Sequence, residues 1–246
     1  MGSGALFSIR YGQKDEKGLR EDVCASFFFI ALITFILTVI SYIFLNQLSV
    51  FLHVPHEVWG DMKGYLIVIF IGIPAIFLYN YFASYLRAIG NSMIPLIFLA
   101  ISAMLNIVLD LFFVIVLKLG VEGAAIATVI SQYLSGIGIS IYSLIKNIQV
   151  RAIMKLQYFH LKRVHKVISF SVLTCIQQSV MNLGILMVQG LVNSFGTVVM
   201  AAFAAAVKID AFAYMPVQDF GNAFSTFIAQ NLSLIHISEP TRLDVI

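Results

Sequence analysis

Apolar residues in this chain come in long unbroken blocks, and the polar positions gather between them. Blocks of membrane-spanning length recur at 23–45, 64–86, 96–118, 121–145, 167–192 and 198–228. The hydrocarbon core of a bilayer takes a helix of about 20 apolar residues, so the pattern predicts six spanning helices. The connections differ in length. "RAIGNSMIP" (87–95) is a short turn in which Gly90 and Pro95 separate two helices. "LGVEG" (119–123) is a tight turn on the opposite side. "KNIQVRAIMKLQYFHLKRVHK" (146–166) is longer and basic. Its apolar residues Ile153, Leu156 and Leu161 are expected along the membrane surface, with the lysines reaching anionic lipid. That loop is the natural boundary between halves. It divides residues 1–145 from residues 167–231, with 146–166 as a basic cytoplasmic linker.

The ends break the pattern. "ALFSIRYG" is too short to span and reads as the last turns of a helix entering the loop "QKDEKGLRED". Residues 1–13 are therefore expected to be a helix stub without its partner helix. At the other end, "LSLIHISEPTRLDVI" (232–246) is expected to break off the last helix with Pro240 and charges. "LSLIHISEPTR" resembles the conceptual translation of a transposase-end sequencing adapter, so native sequence is expected to stop near Asn231.

Composition agrees with a membrane protein. Of 246 residues, 60% are hydrophobic and 11% charged, and the mean hydropathy is +0.96. A soluble domain of this size needs far more charge to cover its surface. Arg10, Lys14, Lys17, Arg20, Arg87, Lys146, Arg151, Lys155, Lys162, Arg163 and Lys166 fall on one side of six alternating spans, with Lys63 and Lys118 on the other. The positive-inside rule makes the first side cytoplasmic. The net charge of +3 thus reports topology and gives no reason to expect a nucleic-acid partner. Cys24 and Cys175 lie in or beside spans and read as small core residues. No cleavable signal peptide is visible.

Against this apolar background the polar residues form stripes. Ser102, Asn106 and Asp110 are spaced by four and share one face of a helix. Thr128, Ser131, Gln132 and Ser135 line one face of the next. Asp110 precedes the turn at 119–123 by about as many residues as Thr128 follows it, so at 1.5 Å per residue both lie roughly 12–15 Å deep. A charge at the bilayer centre costs roughly 2.5–3.5 kcal/mol on insertion scales. Asn106, Asp110 and Thr128 at one level supply an amide oxygen, a carboxylate and a hydroxyl, which are hard ligands for a small cation. The carboxylate could take a proton instead. Helix–helix hydrogen bonding is the plainer reading of the Asn and Thr, but it leaves the charge unexplained.

Elsewhere the chemistry is less specific. Gln178, Asn182, Gln189 and Asn193 form an uncharged stripe, for which substrate contact and helix–helix bonding are rival readings. The last span carries Lys208, Asp210 and Asp219 with Pro216 in its middle, which suits a helix facing protein or water. Lys208 and Asp210 are two apart and do not share a face. Phe77, Tyr79, Tyr81, Phe82 and Tyr85 crowd one helix, where packing and an aromatic-lined cavity for organic cations are both open. "HVPHE" (53–57) lacks the H-E-x-x-H order of a metal site, and no nucleophile elbow, P-loop or aspartate-rich motif appears. No metal beyond a coupling ion and no cofactor is expected.

"LRAIGNSMIPL" (86–96), "NIVLD" (106–110) and "GVEGAAIATVISQ" (120–132) stand in an order and spacing that resembles the multidrug and toxic compound extrusion (MATE) family. "NSFGTVVMAAFAAAVKIDAFAYMPVQDFGNAFSTFIAQN" (193–231) is similar to the start of that family's second half. The resemblance covers residues 4–231. It implies an all-α fold of twelve helices in two six-helix lobes related by a pseudo-two-fold axis along the membrane normal. This chain would supply the end of the second helix, helices three to six, and the seventh and eighth. The resemblance also implies a cation site made by an Asn and an Asp on the fifth helix, a Thr on the sixth and an Asp on the first. Asn106, Asp110 and Thr128 match the first three. Some members use a Glu on the seventh helix, where this chain has Gln177 and Gln178.

The expected function is that of a cation-coupled antiporter, driven by sodium ions or protons, that exports organic cationic compounds by alternating access. A fragment of it is not expected to transport alone. Gln178, Asn182, Lys208 and Asp210 are the candidate substrate or lobe-interface residues. The full-length form is expected to be a monomer in the plasma membrane, as in a bacterial inner membrane. Rival readings are a lipid-linked saccharide flippase of the same architecture and a membrane-embedded enzyme, and the missing catalytic motifs argue against the enzyme.

Overall fold

A computed structural model describes residues 2–47, 59–193, 195 and 197–242; the "HVPHE" stretch lies outside these described residues. The helices are α1 (Gly2–Gly12), α2 (Glu16–Ile43), α3 (Trp59–Ile71), α4 (Ile73–Ala88), α5 (Met93–Asp110), α6 (Gly120–Lys146), α7 (Leu161–Asn193) and α8 (Thr197–Arg242). A π-helical segment, Leu111–Val116, continues α5, and two 3-10 turns, Val150–Met154 and Leu156–Tyr158, lie in the linker. There is no strand among the described residues.

Four of the helical stretches are long and apolar enough to cross a membrane: Glu16–Ile43, Met93–Val116, Gly120–Lys146 and Arg163–Val192. The span predicted at 64–86 is instead two helices, α3 and α4, bent by 43° across Gly72. Pro74 in the first turn of α4 explains the break, because a proline nitrogen has no hydrogen to give to the preceding turn. The last predicted span lies within α8. That helix continues past Asn231 and through Pro240 to Arg242, where the sequence led us to expect an end. The stretch "LSLIHIS" contains no helix breaker, and one proline removes a single bond of the ladder.

The chain divides into two compact units, Glu16–Val164 and Met1–Asp15 with His165–Ile246. In the Glu16–Val164 unit, α4 and α5 pack on α6, and α2 packs on α4. Tyr81, Phe82, Tyr85 and Leu86 are buried, as are Leu19, Val23 and Cys24 on α2. The Tyr81 hydroxyl donates to the Val23 carbonyl at 2.6 Å and lies 2.9 Å from Ser26 Oγ. Its ring meets Phe27 edge-on at 5.3 Å. Tyr79 donates to the Pro95 carbonyl at 3.0 Å. The aromatics of α4 are thus occupied in packing and hydrogen bonds. α4 and α6 approach closely at Gly136, where an added Cβ would stand 2.7 Å from the Ala75 carbonyl oxygen.

In the other unit the predicted stub is not partnerless. α1 packs along α8, and a Cβ added at Gly2 would come within 2.6 Å of Ser171 Cα on α7. The apolar pair Leu6 and Phe7 gives so short a helix enough surface to be buried, and both are almost inaccessible. Arg10 and Asp15 pair at 2.7 Å across the turn that follows. Cys175 is exposed, contrary to the expected core position, because α7 leaves apolar surface open along most of its length.

Candidate cation site between α5 and α6

α5 and α6 are joined by the tight turn at 117–120, where Lys118 and Gly120 take left-handed φ values of 54° and 58°. A turn this short sets the register of the two helices and brings the two polar stripes face to face. The Ser102 hydroxyl donates to the Ser131 carbonyl at 2.8 Å. One turn further along α5, the Asn106 amide donates to Thr128 Oγ1 at 3.4 Å. Thr128 spends its own proton on the Ala124 carbonyl at 2.9 Å, so its lone pairs face across to α5. Turning the Asn106 amide by half a rotation would present its oxygen to the same spot.

Asp110 is the next residue of the stripe and the last of α5 before the π-helical segment. It is half-buried. Its Oδ1 is closed off from solvent and has no hydrogen-bond partner among the described residues. The structure therefore brings Asn106 and Thr128 into contact and places Asp110 one helical turn away on the same face. A buried carboxylate oxygen without a donor is costly unless a cation or a proton meets it. Gln132 Oε1 and Ser131 Oγ, on the α6 stripe, are likewise buried without a partner among the described residues.

The other candidates belong to the other compact unit. Gln178 and Asn182 on α7, and Lys208 and Asp210 on α8, are all exposed. None of them has a side-chain hydrogen bond among the described residues. One polar group was not singled out from the sequence. Tyr133 donates its hydroxyl to the Ile71 carbonyl at 2.9 Å, at the α3–α4 break.

Long apolar helices that carry a polar stripe onto a neighbouring helix define a polytopic membrane protein. The MatE family model matches residues 1–112. "Probable multidrug resistance protein YpnP" of Bacillus subtilis (strain 168) is 29% identical over 238 residues, covering 93% of this chain and 51% of that relative. "Probable multidrug resistance protein NorM" of Thermotoga maritima is 24% identical over 234 residues, covering 94% and 50%. Among solved structures, an "outward-facing conformation of a multidrug resistance MATE family transporter of the MOP superfamily" superimposes with a TM-score of 0.84. It is 19% identical and covers 94% of this chain and 52% of that one. The Vibrio cholerae MATE transporter VcmN in the bent form gives 0.76 at 20% identity, covering 98% and 56%. The chain is similar in sequence to the MATE family over residues 1–112 and shares the fold of solved MATE transporters. It spans about half the length of the curated relatives it matches.

Proposed function

We propose that this chain is half of a cation-coupled antiporter for organic cations, with the coupling ion held by Asn106, Asp110 and Thr128. The observation that carries this reading is Asp110 Oδ1, buried and without a hydrogen-bond partner among the described residues, on the same face as an Asn–Thr contact one turn away. A sodium ion or a proton would satisfy that oxygen. Protonation and sodium binding then compete for the same carboxylate. The ion drives transport only through its different affinity for outward- and inward-facing states. One charge crossing the full membrane field contributes about 2.3 kcal/mol per 100 mV. Relatives described as multidrug resistance and multidrug export proteins support an organic cargo. Gln178, Asn182, Lys208 and Asp210 would face that cargo or the other lobe. The full-length protein would act as a monomer in a bacterial inner membrane.

A second reading has one specific support. A structure with the same TM-score of 0.84 is described as "Reverse polarity of binding pocket suggests different function of a MOP superfamily transporter" from Pyrococcus furiosus. The fold therefore does not choose the cargo, and a lipid-linked saccharide flippase is the alternative. Dye efflux from vesicles with an imposed sodium or proton gradient tests the first reading in a full-length protein carrying this sequence. Asp110→Asn should abolish gradient-driven efflux while leaving membrane insertion intact. Asn106→Ala and Thr128→Ala should each weaken cation binding by about tenfold, the equivalent of ~1.4 kcal/mol. Full transport by Asp110→Asn would refute the site.

A further inference from the structure

Part of the 146–166 linker is folded onto protein. Its first 3-10 turn packs on α2, with Val150 and Ala152 buried. Arg151 reaches back to the end of α6, donating Nε to the Leu144 carbonyl at 2.9 Å and Nη2 to that of Ile145 at 2.6 Å. These carbonyls lie in the last turn of the helix, where no intrahelical donor reaches them. Backbone bonds continue the fold: Ala152 to Gln149 at 3.2 Å, Lys155 to Ala152 at 3.0 Å and Tyr158 to Lys155 at 3.1 Å.

The far end of the linker is held by charge. Arg163, in the first turn of α7, donates both Nε (2.9 Å) and Nη2 (2.6 Å) to Glu21 Oε2 on α2. Its Nη1 stands 3.7 Å from Asp22 Oδ1. Glu21 is 9% exposed and Asp22 fully buried, so these acids are shielded from the salt that weakens surface pairs. Two donors on one carboxylate oxygen also fix the direction of the guanidinium. The next residue pair, Val164–His165, is where the chain passes from one compact unit to the other.

We infer that Glu21, Asp22 and Arg163 are a clasp that makes the linker a fixed strap of the Glu16–Val164 unit. Arg163 is a positioning residue. The inference needs no ion at Asp110 and stands or fails separately from the coupling reading.

Hydrogen exchange on the whole chain in lipid nanodiscs, with no ion gradient, tests it. In Arg163→Gln and in Glu21→Gln, the amides of 150–158 should exchange about tenfold faster, while those of α5 and α6 keep their wild-type rates. The double variant should exchange no faster than Arg163→Gln alone, because that change already removes the contact to Glu21. Unchanged exchange at 150–158 would overturn the clasp. So would loosening that spreads equally to α5 and α6, or a double variant in which the two effects add.

Discussion

Tyr133 on α6 donates its hydroxyl to the carbonyl of Ile71, the last residue of α3, across 2.9 Å. The bond lands one residue before Gly72, where the two halves of a broken span meet at 43°. Helix breaks in an apolar setting persist when a neighbour satisfies the freed backbone. Tyr133→Phe should therefore loosen the break without removing it. The expected cost is about 0.6 kcal/mol, roughly threefold faster hydrogen exchange at the start of α4. An unchanged rate there would show that the hydroxyl contributes nothing to the bend.

Gly136 and Gly138 lie on the same helix but should respond differently to a methyl group. At Gly136 the new Cβ meets the Ala75 carbonyl, which is backbone and cannot rotate away. At Gly138 it meets the Phe98 ring at 2.6 Å, the end of a side chain that can swing. Gly136→Ala should cost about 1–3 kcal/mol by forcing α4 from α6, and Gly138→Ala under about 1 kcal/mol. Thermal unfolding in detergent should rank them in that order, and the reverse order would contradict the packing.

Tyr81 is tied to α2 through the Val23 carbonyl and Ser26. Tyr81→Phe keeps the ring packing against Phe27 and removes only the hydroxyl. The bond to Val23 and the 2.9 Å contact with Ser26 are lost while Ser26 keeps its 3.2 Å bond to Val23, so the expected loss is about 1 kcal/mol. The melting temperature in detergent should fall by a few degrees, and no fall would mean that the bond is replaced.

The Arg20 guanidinium beside Tyr158, together with Gln157, holds the Tyr158 phenol below its usual value. A depressed acid favours the folded state once it ionises. The linker should therefore gain stability as pH rises through the lowered value, with no change from this group at neutral pH. Tyrosine NMR, assigned with Tyr158→Phe, should show its titration below that of the free amino acid. Arg20→Gln should return it upward.

The candidate site was legible because its signals are local. Residues four apart share a helical face, and the short turn at 119–123 converts counting along the chain into depth. Those two facts were enough to place Asn106 against Thr128. The Glu21–Arg163 pair was not legible, since 142 residues separate the partners and nothing in "GLRED" or "LKRVHK" marks one for the other. Cys175 misled because an apolar helix reads the same whether its neighbour is protein or lipid. Pro74 announced the α3–α4 break, but the continuous apolar run around it read as one span. The packing of α1 on α8 was hidden because a short helix end carries no mark of which distant helix it meets.

The π-helical segment after Asp110 has a consequence for the phase of α5. A backbone bond that reaches back five residues instead of four takes up one additional residue per turn. The side chains beyond it are therefore rotated by about one residue relative to a straight α-helix. At the outer end, the Leu119 amide bonds to the Phe113 carbonyl at 3.0 Å, and the Phe113 Cβ lies 3.1 Å from where Gly123 would carry its own. An unbroken α-helix that kept Asp110 facing α6 would turn the residues beyond Val116, where the chain enters that turn, by about 100° around the axis. The surplus residue lets the two ends of one helix keep separate appointments, so deleting a residue from Leu111–Val116 forces a choice between them.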